Sequence, residues 1–279
     1  MKVLILSCAT GEGHNSAARA MHEVFISRNI ECDIVDTTGF GGERSRKIVA
    51  NSYNSIVRKS PASFGVIYKI GDKYSSTKMP SPVYFANTLY AKKLSAFITE
   101  NGYDIAICTH LFAMEALTYI RKKNILHIPS YAILTDYTCI PFFAETKLDG
   151  YFVPTEAVRQ ECIEKGMDGS IIYPYGIPVS PRFQNIMDKD SARNYLVIPK
   201  DIAVFLVMTG GVGCGNAAAI CDSLIEHRKE DFIAYVFAGR NDDLRESLEK
   251  RYQNDARIQV VTFTTNINIY MNAADVLIS

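Results

Sequence analysis

The chain has 279 residues, more than one typical domain holds, so two domains of unequal size are expected. Lys and Arg number 30 against 30 Asp and Glu, and a formal net charge of zero gives no case for a nucleic-acid partner. The seven cysteines form no C-x-x-C pair and read as reduced cytosolic thiols, while no apolar run reaches the roughly 18 to 20 residues that span a bilayer.

The chain opens on a strand, a turn and a helix. Val3-Leu4-Ile5-Leu6 is a continuous apolar run, the pattern of a strand buried on both faces of a parallel sheet. It leads straight into this unit and does not read as a signal peptide. The run stops at Thr10-Gly11-Glu12-Gly13, where two glycines permit a tight turn and close approach of a ligand. A helix is expected to start between residues 14 and 16, with Ala17, Ala18, Met21, Val24 and Phe25 at helical spacing. Strand, glycine turn and helix N-terminus together suit an anionic or polar ligand, and His14 stands at the mouth. The dinucleotide fingerprint G-x-G-x-x-G is incomplete, because Gly11 and Gly13 are followed by Ser16. A nicotinamide cofactor is therefore disfavoured, although Asp36 ends the next strand.

Residues 10–18, TGEGHNSAA, resemble the N-terminal loop of the monogalactosyldiacylglycerol synthase and processive diacylglycerol glucosyltransferase group. The resemblance implies an α/β protein of the GT-B type, with two Rossmann-like domains built on parallel sheets. It also implies a UDP-sugar donor and a lipid acceptor such as diacylglycerol.

Between residues 44 and 97 the composition changes. Ten basic residues, among them Arg44, Arg46, Lys47, Lys92 and Lys93, face a single acid, Asp72. Aromatics are interleaved, including Tyr53, Phe64, Tyr74, Tyr84, Phe85 and Tyr90. One reading is a pair of helices with a solvated cationic face. The other, favoured beside the resemblance, is docking on an anionic membrane surface, where each basic residue contributes about 1 kcal/mol. That reading puts the protein in the cytoplasm, attached peripherally to the inner face of the cell membrane.

Residues 103–110 read as the next strand, with Thr109 and His110 at its polar C-terminal end, the edge where open α/β sheets gather active residues. The related group carries a His here, usually followed by Pro, where this chain has Leu111. His110 either lines the acceptor pocket or is a structural residue. Residues 128–136 form another strand ending in Thr135-Asp136, which resembles the group's strand-end T-D. An acid at this edge can orient an imidazole or take a proton itself.

Residues 176–183, GIPVSPRF, resemble the group's interdomain linker, and Pro174, Pro178 and Pro181 stiffen it. A loop inside one large domain is the other reading. The expected division is an acceptor- and membrane-binding domain over residues 1–175 and a nucleotide-sugar domain over 176–279. Beyond the linker, residues 202–208 form a buried strand that runs into a second glycine turn with Gly210, Gly211, Gly213 and Gly215. Glycines before a helix N-terminus favour amide contacts to a diphosphate, against the plainer reading of a tight structural turn. No Lys-Ser/Thr follows, so this is not a Walker loop. Asn266 begins a helix that resembles the segment beside the nucleobase. The related group continues with a Lys-Pro-Gly-Gly segment and a ribose-binding acid, neither of which is present, so an incomplete second domain and an inactive fragment are expected.

The resemblance implies an inverting hexose transfer. Its base is expected to be His14, oriented by Asp136, with Gly11, Gly13 and His110 on the acceptor side. Gly210, Gly211, Gly213, Gly215 and Asn266 are expected on the donor side. Asp188-Lys189-Asp190 reads as solvated surface rather than a D-x-D metal motif, so no metal and no cofactor are expected. Two alternatives stand: a nucleotide-sugar epimerase of the same fold, and a non-catalytic lipid-binding remnant.

Overall fold

The computed structural model describes residues 1–8, 12–42, 71, 73–75, 79–184, 187–210 and 216–279. These form two compact units, Met1–Pro181 and Arg182–Ser279, divided within the proline-containing stretch.

The first unit contains, in order, β1 (Lys2–Ser7), α1 (Glu12–Ser27), β2 (Glu31–Asp36), α2 (Pro82–Glu100), β3 (Ile105–Cys108), α3 (Leu111–Lys122), β4 (Ser130–Ile133), β5 (Gly150–Phe152), α4 (Glu156–Glu164) and β6 (Ile172–Tyr173). Every strand pair is parallel, in the order β2-β1-β3-β4-β5-β6. The chain steps from β1 to β2 on one side and returns to β3 on the other. That reversal makes a crevice beyond the C-terminal ends of β1 and β3, where ligands bind in open α/β sheets.

Side chains of β1 alternate between two cores. Leu4 and Leu6 pack with Leu94 and Ile98 of α2 and Met114 and Leu117 of α3. Val3 and Ile5 pack with Ala18 of α1 and Cys32 of β2. Both faces are covered, which is why the strand is apolar without a break from Val3 to Leu6. Helix α1 buries only alanines, Ala17, Ala18 and Ala20, and so lies close to the sheet. It starts at Glu12, earlier than its spacing predicts, so His14 lies in its first turn. Ser81 caps α2 by accepting from Tyr84 N at 2.9 Å, and Pro82 occupies the first helical position. In the basic-aromatic stretch Tyr84 and Tyr90 are core residues, while Phe85 is exposed. Residues 44–70, 72 and 76–78 of that region lie outside the described residues.

The second unit contains α5 (Lys189–Tyr195), β7 (Ala203–Met208), α6 (Ala217–His227), β8 (Phe232–Phe237), α7 (Asp242–Tyr252), β9 (Ile258–Val261), α8 (Ile267–Ala273) and β10 (Val276–Ile278). Its parallel sheet has the order β10-β7-β8-β9, with the reversal between β7 and β10. The run Asp188-Lys189-Asp190 is exposed, and each of its residues has a partner. Asp188 caps α5 by accepting from Ser191 N at 2.9 Å, Lys189 pairs with Asp275, and Asp190 pairs with Lys200 at 2.9 Å. An acid just before a helix is held by the helix's own unpaired N–H groups.

Glu115 of α3 is fully buried, and among the described residues neither carboxyl oxygen has a hydrogen-bond partner. Beside it lies Glu145, which accepts from Ser81 N at 3.0 Å and so ties the start of α2 to the pair. Burial first, and then the neighbouring Glu145 charge, pushes Glu115 up to about 10. The carboxyl is therefore protonated at neutral pH, and its proton lets the two groups lie side by side. The folded chain holds this proton more tightly than the unfolded one. Its contribution to stability is thus complete below the ordinary value of 4.5 and declines as pH rises toward about 10. Glu115→Gln abolishes that decline. In urea denaturation the variant's midpoint, relative to the parent's, should climb steadily from about pH 5 to about pH 9. A difference that does not vary with pH would show that another group carries the linkage.

Candidate active site

Three strand ends meet at the reversal between β1 and β3. The end of β1 feeds α1 and His14, β3 runs into Thr109 and His110, and β4 runs on to Thr135 and Asp136. His14 Nδ1 lies 2.8 Å from the Thr109 carbonyl oxygen and 2.7 Å from Thr135 Oγ1. A carbonyl only accepts, so Nδ1 carries the proton. In the neutral ring the lone pair is then on Nε2. The Thr109 carbonyl is itself fixed, because Thr109 N donates to Leu6 O of β1 at 3.0 Å. Ser7 Oγ donates to Asn15 Oδ1 at 2.8 Å and ties the strand end to the helix next to His14.

Burial lowers His14 from the usual 6.5, while the Asp136 charge and the Thr109 carbonyl pull it back up. Asp136 is raised above its usual 3.8, again by burial, with His14 opposing. The carboxylate therefore acts on His14 through charge. The expected orienting role falls to Thr109 and Thr135, which already occupy Nδ1. The Thr109 contact is invisible in the sequence, because a backbone carbonyl has no residue-type signature. The Thr109 hydroxyl is buried and has no partner among the described residues.

His110 does not lie in the strand, which stops at Cys108. It caps α3, its Nδ1 accepting from Phe112 N at 3.2 Å. Its ring meets His14 edge-on with centroids 4.7 Å apart, and meets Phe112 at 4.5 Å. Burial and the His14 ring push its pKa down to about 3, so it stays neutral and keeps its acceptor. Gly13 is exposed, and a Cβ there would meet nothing within 4 Å. The protein's own packing makes no demand for glycine at this position. Gly11 lies outside the described residues.

In the second unit β7 ends at Thr209 and Gly210. Gly210 has φ +73°, a left-handed conformation that favours glycine. Gly211, Gly213 and Gly215 lie outside the described residues. Asn216 caps α6 by accepting from Ala219 N at 3.3 Å. Asn266, just before α8, makes no capping bond with its side chain. At the same sheet edge Phe263 is 65% exposed, with the Arg240 guanidinium 5.4 Å from its ring centroid. Sequence reading did not single out this pair. An aromatic just past a strand's C-terminal end is the signal that would have found it. Among the described residues no three His, Cys, Asp or Glu side chains form a metal site.

The monogalactosyldiacylglycerol (MGDG) synthase family matches residues 14–179, which begin at His14. A processive diacylglycerol beta-glucosyltransferase of Bacillus cytotoxicus is 28% identical over 273 residues, covering 96% of this chain and 68% of that protein. A probable monogalactosyldiacylglycerol synthase 2 of Oryza sativa subsp. indica, described as chloroplastic, is 27% identical over 292 residues. It covers 99% of this chain, which spans only 61% of the rice protein's length. In three dimensions a glycosyltransferase from Rickettsia africae superposes with a TM-score of 0.58 at 13% identity, covering 100% of this chain and 72% of that one. That likeness shows the two-unit GT-B fold. With the family match spanning more than half its residues, this chain belongs to the monogalactosyldiacylglycerol synthase family.

Proposed function

We propose that the protein transfers a hexose from a UDP-sugar to the hydroxyl of a diacylglycerol, with inversion and with His14 as general base. The observation that carries this reading is the Nδ1 contact with the Thr109 carbonyl, which leaves Nε2 as the unprotonated nitrogen. The acceptor hydroxyl is a weak nucleophile and must lose its proton as the new bond forms. Nε2 takes that proton, the hydroxyl oxygen bonds to the anomeric carbon, and the bond to the diphosphate breaks with its electron pair on the leaving oxygen. A His14 pKa below 6.5 keeps the ring neutral and ready at pH 7. The nearby Asp136 carboxylate stabilises the imidazolium that results.

The leaving diphosphate gathers negative charge. Backbone N–H groups at the N-terminus of α6, which follows the glycine-rich sequence after Gly210, suit that charge. Phe263 offers an exposed face for stacking a nucleobase, with Arg240 beside it and Asn266 on the same edge. Membership of this family favours transfer over epimerisation.

Lipid access is proposed through the basic-aromatic stretch. On α2, Phe85 and Leu89 are 58% and 85% exposed, close in sequence to Lys92 and Lys93. Apolar side chains beside cations suit the boundary of an anionic bilayer. Among the described residues no helix is long and apolar enough to cross a membrane. The attachment proposed is peripheral, on the cytoplasmic face.

Three outcomes test this reading. His14→Ala should lower turnover of the full-length protein about 10²- to 10⁴-fold while the circular dichroism spectrum is kept. Undiminished turnover would remove the base assignment. Asp136→Asn removes a charge that raises His14, so the acidic limb of the pH–rate profile should move to lower pH. An unmoved limb would mean that Asp136 does not tune the base. Sedimentation with vesicles should require phosphatidylglycerol and weaken with added salt. Binding to neutral phosphatidylcholine alone, insensitive to salt, would leave the stretch a solvated face.

A further inference from the structure

A cavity of about 440 Å³ opens between the turn Thr37–Gly41 and α2, and nothing in the reaction above accounts for it. Its wall includes Phe40, Val83, Ala86, Leu89, Tyr90 and Phe112. We propose that this cavity receives one acyl chain of the acceptor lipid and thereby selects long-chain diacylglycerol, an assignment that rests on the transfer reaction proposed above.

The position supports it. The turn Thr37–Gly41 follows β2 directly, so the cavity lies at the sheet edge where His14 and His110 stand. Phe112 is shared between the two places. It lines the cavity, its ring meets His110 at 4.5 Å, and His110 meets His14 at 4.7 Å. An alkyl chain against Phe112 is therefore two ring contacts away from the proposed base.

The chemistry of the wall excludes a sugar or a nucleotide as occupant. Its polar groups are already engaged with one another. Tyr90 OH donates to Asn87 Oδ1 at 2.7 Å and lies 3.0 Å from Phe112 O. Asn87 Nδ2 donates to Val83 O at 2.8 Å, and Thr38 Oγ1 donates to Asp36 Oδ1 at 2.6 Å. A hydroxyl-rich ligand would find few partners there and would lose its hydration. An alkyl chain requires none, and by covering Leu89 it would remove from water an apolar side chain that is 85% exposed. Lys93 is the one charged residue in the described wall. The volume lies within the roughly 300 to 1,000 Å³ usual for ligand sites.

The test uses the full-length protein in mixed micelles with dioleoylglycerol that carries a diazirine in one acyl chain. Photolysis should label residues 82–93 and Phe112. Ala86→Trp, which fills the cavity, should cut that labelling about tenfold or more. The same variant should lower the ratio of kcat/KM for dioleoylglycerol over dibutyrylglycerol by a similar factor. Leu89→Glu, at a position too exposed to unfold the chain, should shift both readouts in the same direction. Labelling elsewhere on the chain, or a ratio unchanged in both variants while dibutyrylglycerol still accepts sugar, would overturn the cavity assignment and leave the transfer reaction standing. Failure of the parent to glycosylate either acceptor would instead overturn the reaction. In that case labelling lost in Ala86→Trp would still support a lipid site, and labelling retained would overturn it.

Discussion

The hydrogen bond from His14 Nδ1–H to the Thr109 carbonyl is the constraint on which the site depends. A backbone carbonyl does not titrate, so its hold on the tautomer is unaffected by pH. A carboxylate partner would lose that hold once protonated. The carbonyl is positioned by the sheet itself, through Thr109 N to Leu6 O and the pairing of Leu6 with Cys108. The placement of the imidazole is thus a consequence of strand register. A slip of β3 against β1 would move the acceptor away from the ring.

The two units repeat one construction. A central parallel strand, apolar at nearly every position, is followed in the chain by a helix, and the strand order reverses beside it. In the first unit the reversal gathers polar side chains from three strand ends. In the second it gathers a left-handed glycine and an exposed aromatic–arginine pair. The same scaffold thus presents different groups at its two edges, imidazoles at the first and an exposed aromatic ring beside a guanidinium at the second.

Strands were the most legible feature of the sequence. Val3-Leu4-Ile5-Leu6 is unbroken because both faces of β1 are covered, and Phe205-Leu206-Val207 is unbroken for the same reason. Ends were less legible, since caps decide them. The strand through His110 stops short because His110 turns to cap α3, a task more often given to Ser, Thr or Asp. Glu115 was invisible for a different reason. On a helix a lone Glu normally points to solvent, and only the fold brings it against Glu145. The aromatics of residues 44–97 divide between core and surface, which composition alone does not separate. His14 stood out as a candidate from its place after Gly11 and Gly13 in the sequence, but its protonation pattern comes from main-chain atoms distant in sequence.

Histidine 110 carries a consequence of its own. Two imidazoles in edge contact look like a relay, able to pass a hydrogen ion from one ring to the next. The capping bond forbids that. To accept the ion on Nδ1, His110 would have to release Phe112 N and place a positive charge against the positive end of a helix. The second ring is an insulator against the first. A hydrogen ion that reaches His14 is therefore not handed inward through His110.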